Sequence, residues 1–326
     1  MTSKNDSILV FEYFTASGIK DKSIITEAEA LLYCLLDDLS DFNVDLVINK
    51  SYKNIINKDN INPIFIDCDV IDWLKDNASS FTRAIFIAGE NNNNLYNITK
   101  ILEYNNVKLY TSSSKACLIT SDKYETFMQL KGIVPQPETS KLIDNIKSYD
   151  KIIAKPINGV DCENIHIITD LKDFNPSSQM IFQEYIEGVD VSVSLISDGV
   201  CAVPISLNRQ YIDLEDKNYL GGITPYESVN KDKIFNIAVK AVENIKGLKG
   251  FVGVDLKVNG DEIYFLEINS RFTTPYVGVK KIANINIAKS IINIIDKKID
   301  INDLNISLKG KIEFKKLKDS LEIRRL

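Results

Sequence analysis

The sequence predicts an α/β lobe built on a parallel sheet, followed by two β-rich α+β lobes. Three observations carry this. Short apolar runs alternate with helical periodicity over the first hundred residues, the alternation stops near residue 112, and strand-length segments dominate from there on. Strand–helix–strand order implies parallel strands joined by crossover helices. The changes of texture divide the chain into residues 1–112, 113–187 and 188–326, and 326 residues are more than one ordinary core accommodates.

In order, Ile8–Phe14 has the length and apolarity of a strand. Ile25, Ala28, Leu32, Leu35, Leu36 and Leu39 then follow the 3.6-residue period of a helix. Val44–Ile48, Pro63–Ile66, Ala84–Ala88 and Val107–Tyr110 read as further strands. In such sheets ligands bind beyond the carboxyl ends of the strands, here Thr15-Ala16-Ser17-Gly18 and the loop that starts at Gly89-Glu90. Asp122 and Glu125 form a capping box for a helix that Gly132 and Pro135 close. Lys151–Lys155, Ile165–Ile168, Met180–Tyr185, Val189–Ile196 and Cys201–Leu207 are expected strands, and Asp232–Ile245 an expected helix. Phe251–Val258 and Glu262–Asn269 form a hairpin across Asn259-Gly260, with a helix over Ile282–Ile294 covering it. From Lys309 the tail carries seven Lys or Arg against three acids and reads as a solvated final segment.

Composition excludes several classes. Net charge is −6 and pI about 5.1, so no global field draws the chain to nucleic acid or anionic membrane. The start MTSKNDSILVFEYF lacks the pattern of a signal peptide, and Asn284, Asn286 and Lys289 interrupt the apolar segment 282–295, so no membrane span is expected. Cysteines stand at 34, 68, 117, 162 and 201 without a CxxC pair, and His166 is the single histidine. This argues against a zinc site and a Ser-His-Asp triad, and scattered thiols fit a reducing cytoplasm. A homodimer and a monomer both remain open.

Four segments carry chemistry. They are Ser121-Asp122-Lys123; Ile153-Ala154-Lys155-Pro156 with Gly159; Gln183-Glu184-Tyr185-Ile186-Glu187-Gly188-Val189-Asp190; and Val254-Asp255 with Leu266-Glu267-Ile268-Asn269-Ser270-Arg271. A lysine at a strand end and another at a helix start can converge on phosphates from two directions. Gly159 lets backbone N–H groups approach phosphate oxygens. Glu184, ending an apolar strand, suits an adenine amino group, with the backbone of Tyr185 and Ile186 for the remaining edge. Asp190 and Glu187 compete for ribose hydroxyls. Asp255, Glu267 and Asn269 are the oxygen set that Mg²⁺ or Mn²⁺ prefers. Glu267 and Asn269 share a strand face. A regular two-residue turn at Asn259-Gly260 would put Asp255 on the opposite one, so a three-residue or bulged turn, or a compensating bulge elsewhere, is required.

This order of motifs resembles the ATP-grasp superfamily over roughly residues 1–295. The resemblance implies ATP clamped between two α+β lobes, preceded by an α/β lobe. It assigns Lys123 and Lys155 to phosphates, Glu184 to Ile186 to adenine, Asp190 to ribose, and Asp255, Glu267 and Asn269 to the metal. Arg271 would face the transferred phosphoryl group. One departure is the phosphate loop Asn158-Gly159-Val160-Asp161-Cys162-Glu163-Asn164, which has a single glycine and places Cys162 near nucleotide. Within the superfamily, Phe11-Glu12-Tyr13-Phe14-Thr15-Ala16-Ser17-Gly18, Ala88-Gly89-Glu90, Leu207-Asn208-Arg209-Gln210 and Tyr219-Leu220-Gly221-Gly222 are similar to the archaeal tyramine–glutamate ligases of methanofuran biosynthesis. That likeness makes Glu12, Ser17, Gly18, Glu90, Arg209, Gly221 and Gly222 candidates for binding an amino acid and an amine. Arg209 is also a candidate catalytic residue beside Arg271 and Lys155, because an arginine within an apolar strand calls for an anionic partner.

Duller readings stand beside these. Lys123 is otherwise a solvated helix residue, Lys155 an ordinary strand end, Glu267 a water-facing strand residue, and Glu12 and Glu90 exposed loop residues. Rival functions are a ligase for another amino acid and amine, and an ATP-binding regulatory protein, which the glycine-poor loop favours. A dinucleotide oxidoreductase would need a GxGxxG after the first strand, which is missing.

Overall fold

The computed structural model describes residues 7–53, 58–146, 148–159, 164–170, 174, 179–213, 218–317 and 319–326. Its first region runs β1 (Ile8–Glu12), α1 (Tyr13–Ser17), α2 (Lys22–Asp38), β2 (Val44–Asn49), β3 (Ile61–Ile66), α3 (Val70–Asn77), β4 (Arg83–Ile87), α4 (Asn94–Tyr104) and β5 (Lys108–Leu109). The strands form one parallel sheet in the order β3-β2-β1-β4-β5. Every residue of β1 is buried, as expected of a parallel strand covered on both faces. Strand order reverses between β1 and β4, so Glu12 and the Gly89-Glu90 loop stand at the switch point. The expected strand Ile8–Phe14 stops at Glu12, whose carboxylate accepts from the N–H groups of Phe14 and Thr15 and caps α1.

The chain continues through α5 (Ser114–Ser121) and α6 (Lys123–Leu130), the second capped by Asp122 accepting from Glu125 N at 2.8 Å. A small antiparallel sheet follows, of β6 (Thr139–Ser140), β7 (Ile152–Pro156), β8 (His166–Ile168) and β9 (Met180–Glu184), ordered β6-β9-β7-β8. The remaining strands are β10 (Val189–Asp198), β11 (Ala202–Asp213), β12 (Asn218–Thr224), β13 (Lys249–Asn259), β14 (Glu262–Asn269), β15 (Ile312–Lys316) and β16 (Leu321–Arg325). They make a seven-stranded sheet in the order β14-β13-β10-β11-β12-β15-β16. One face packs Val191, Val193 and Val254 under α7 (Lys231–Glu243), through Ile234, Ala238 and Ala241. The other face splits in two. Ile196, Ile205 and Phe251 join a core with α8 (Pro275–Ile282), α9 (Ile287–Ile295) and the first sheet's Ile8, Val10 and Ile85, while the nearer half carries polar side chains.

Two expectations need correction. The helix expected over Ile282–Ile294 begins only at Ile287 as α9, because Ile282 ends α8, Ala283 is extended and Asn286 caps α9 by accepting from Lys289 N. The basic tail is not merely solvated. It folds back as the β15–β16 hairpin against β12, with Ile312 and Phe314 buried and Lys315 exposed between them and the turn. Alternation rather than net charge decides the fate of such a segment.

Candidate active site

Register builds the site. Ser192 on β10 pairs with Asp255 on β13 and Asn208 on β11, and Asp255 pairs with Glu267 on β14. Directly opposed residues share a face, so these side chains form a polar row. The β13–β14 turn pairs Asn259 with Glu262, a two-residue connection that would by itself place Asp255 against Leu266. A shift between Asp255 and Leu256 makes Leu266 the extra residue and brings Glu267 directly opposite Asp255. The compensating bulge therefore exists, away from the turn.

Facing this row is the small sheet. Lys155, Gln183 and Glu184 line the same cavity as Asp190, Asp255, Glu267, Asn269 and Arg271. Lys155 is 7% exposed. The Lys123 ammonium, at the first position of α6, donates to Gly159 O at 2.9 Å and lies 3.2 Å from Glu267 Oε2. Asp255 accepts from Gln210 Nε2 at 3.0 Å and from Asn269 Nδ2 at 2.9 Å. Burial, and next the charge of Glu267, push the Asp255 carboxyl up to about 8. Burial raises Glu267 as well, but Lys123 and Lys155 outweigh it and hold that carboxyl below the usual range. Two desolvated carboxylates face to face, with the Asn269 amide beside them, fit a hard divalent cation. Among the described residues no cluster of three or more His, Cys, Asp or Glu is present, so phosphate oxygens would complete such a donor set.

The end of the cavity where the sequence places nucleotide holds further detail. Asp190 is ion-paired with Lys257 at 2.7 Å, and both line the cavity. Glu184 lines it too, while the Tyr185 N–H is committed to Lys151 O at 3.1 Å, which leaves backbone recognition at this point to the Tyr185 carbonyl and Ile186. Arg271 donates from Nε to Glu90 Oε2 at 2.8 Å, so the first sheet's switch-point loop reaches the cavity through this pair. Residues 160–163, including Cys162, lie outside the described residues.

Other expected residues are placed elsewhere. Arg209 is exposed and paired in register with Val191, which is buried under α7, so it projects from the face away from Asp255. Its guanidinium lies 5.8 and 5.9 Å from the ring centroids of Tyr211 and Tyr226, aromatic faces standing where an anion was expected. Glu12 caps α1 and is 2% exposed, and burial raises its carboxyl to about 7 against the hydrogen bonds from Thr15 and Phe14. Ser17 Oγ accepts from Val70 N at 3.1 Å. Gly18 ends α1 at φ +74, where a side chain would collide with Asn49. Gly221 and Gly222 let β12 approach its neighbours, since a Cβ would overlap Phe314 O or Arg209 O. None of these six lines the cavity. Residues given no role from the sequence line it instead, among them Gln210, Lys257 and Glu27. Alternation from Asp255 along β13 would have found Lys257. Gln210 needed the register between strands, and Glu27 needed the docking of α2.

A cleft between a four-stranded and a seven-stranded antiparallel sheet, with lysines on one wall and paired carboxylates on the other, defines the ATP-grasp class. Residues 120–275 match the family model of the ATP-grasp domain. The chain is 36% identical over 312 residues to the tyramine–L-glutamate ligase of Methanocaldococcus fervens, covering 93% of this chain and 98% of that protein. It is 35% identical to the corresponding ligase of Methanocaldococcus jannaschii, covering 93% and 92%. The structure of an ATP-grasp superfamily protein from Archaeoglobus fulgidus superposes with a TM-score of 0.79 at 25% identity, over 99% of this chain and all of that one. The chain belongs to the ATP-grasp ligases, in the family of the tyramine–L-glutamate ligases. ATP and a divalent cation are what ATP-grasp proteins bind. No helix among the described residues is long and apolar enough to cross a membrane.

Proposed function

We propose that this protein is an ADP-forming carboxylate–amine ligase that joins the side-chain carboxylate of L-glutamate to the amine of tyramine. The observation that carries the chemistry is the opposition of Asp255 and Glu267 across from Lys123 and Lys155 in one cavity. The substrates are those named for the two ligases with 36% and 35% identity.

A carboxylate does not acylate an amine at neutral pH, because oxide is a very poor leaving group. In the proposed sequence the carboxylate oxygen attacks the terminal phosphorus of ATP and ADP departs, which gives an acyl phosphate. The amine nitrogen then attacks the carbonyl carbon, the C–O bond to phosphate breaks, and the nitrogen loses a proton. Phosphoryl transfer of this kind needs placement and charge neutralisation more than covalent help. Lys123 and Lys155 neutralise phosphate oxygens from the α6 start and the end of β7. Lys257 holds the Asp190 carboxylate toward the ribose position. Glu90 fixes the Arg271 fork where the transferred phosphoryl group would sit. A divalent cation, Mg²⁺ or Mn²⁺, held by Asp255, Glu267 and Asn269 would supply the remaining positive charge.

The test is ADP release by purified protein with Mg-ATP, L-glutamate and tyramine, omitting each in turn. Release only with all three is expected. If ATP raises the melting temperature but no ADP forms, the substrate pair is wrong while nucleotide binding stands.

A further inference from the structure

Among the described residues of 1–112, Glu27 on α2 is the one that itself lines the cavity, whereas Glu90 reaches it through its pair with Arg271. Sequence placement gives no hint of this, because Glu27 precedes Ala28 on a helix whose apolar face packs against β1 and β2. The Glu27 carboxylate accepts from Thr274 Oγ1 on one oxygen and lies 3.2 Å from Lys316 Nζ on the other. The side chains of Lys316 and Glu27 are 19% and 17% exposed. Thr274 stands five residues beyond Asn269, on the same segment as Arg271 and Thr273, and both of these line the cavity. A carboxylate is thus held at the cavity wall beside Thr274.

This gives the cavity an internal polarity. Lys123 and Lys155 bring ammonium groups to the cavity where phosphates would lie, whereas Glu27, beside Thr274 and Pro275, brings a carboxylate whose counter-charge in this structure is Lys316. Such a carboxylate opposes an anionic ligand and suits a cation, and a charge-assisted hydrogen bond to an ammonium is the strong form of that contact. The structure already contains this chemistry. Lys316 Nζ is a primary ammonium on a flexible four-carbon stem, delivered by the β15–β16 hairpin, and it stands in for the ammonium of a substrate. We propose that Glu27 is the counter-charge for a substrate's primary ammonium group, and that Lys316 holds the place until that substrate arrives.

The inference rests on the ligase reading above, which supplies two ammonium groups, on the amine and on the amino acid. Steady-state kinetics of Glu27→Gln separate them. A rise in KM of tenfold or more for tyramine alone assigns Glu27 to the amine, the same rise for glutamate alone assigns it to the amino acid, and KM for ATP stays within twofold in both cases. Glu27→Asp, which keeps the charge on a shorter arm, recovers part of the loss. Lys316→Met removes the internal competitor and lowers the affected KM several-fold. Hydroxylamine, uncharged at neutral pH, serves as a second nucleophile that traps an acyl phosphate as a hydroxamate. Wild-type protein that forms no hydroxamate from glutamate and ATP overturns the ligase reading. Wild-type protein that forms it, with Glu27→Gln leaving both KM values unchanged or raising KM for ATP equally, overturns only the role of Glu27.

Discussion

Single side chains in the cavity have separable duties. Asp255 and Glu267 are opposed in register, and neither has a second carboxylate neighbour able to replace it among the described residues. Asp255→Asn and Glu267→Gln should each lower ADP release by about 10²-fold or more, with circular dichroism and melting temperature little changed. Wild-type turnover from both would remove the metal-binding role. Glu12 has a different signature. Its carboxyl is raised from 4.5 to about 7 by burial, so the native state binds more protons than the unfolded chain between those values. The stability this group contributes is fully present below pH 4.5 and is lost as pH rises through about 7, a decline on the order of 3 kcal/mol. Denaturant unfolding across that range should show the decline in the wild type and a flatter profile in Glu12→Gln.

Strands and helices place these side chains through small departures from regularity. The extra residue Leu266 turns Glu267 toward Asp255, and without it the apolar alternation of β14 would have pointed the acid elsewhere. The glycine pair of β12 acts similarly on a larger surface. Gly221 has φ +119 and no room for a Cβ beneath Phe314 O. Gly221→Ala should cost about 1–3 kcal/mol in denaturant unfolding, through backbone strain and loosening of β15 from β12. The same loosening would displace Lys316 from Glu27, so the variant should also change the affected substrate KM. Alternation made the core-facing residues of β10 and β13 legible, whereas the polar row needed to be known strand against strand.

Across the molecule, the first sheet is joined to the rest by buried polar contacts as well as apolar ones. Asp38, 2% exposed at the end of α2, accepts from Tyr276 Oη at 2.7 Å and Ala288 N at 3.2 Å and is ion-paired with Lys280. Its own carbonyl accepts from Asn286 Nδ2 at 2.8 Å. Asp38→Ala leaves the Lys280 ammonium to Asp37 and the Tyr276 hydroxyl to the Cys34 carbonyl, so it should cost about 1–3 kcal/mol in unfolding free energy. Because α2 carries both Asp38 and Glu27, loosening that anchor should also raise the KM of whichever substrate Glu27 serves. A variant with wild-type stability would place the anchoring in the apolar contacts of α2 with α8 and α9 instead.

By itself the sequence determined the lobes' character and most of the cavity's chemistry, because hydrophobic period and local motif are properties of neighbouring residues. Lys123, Lys155, Glu184, Asp190, Asp255, Glu267, Asn269 and Arg271 were all legible in that way, and all line one cavity. The tertiary structure alone decided which strand faced which. It turned Arg209 outward and Gln210 inward, paired Arg271 with Glu90 and Asp190 with Lys257, folded the basic tail into the sheet, and brought Glu27 to the cavity wall. Those outcomes depend on register and docking between segments up to 289 positions apart, as for Glu27 and Lys316, and no local pattern encodes a contact at that separation.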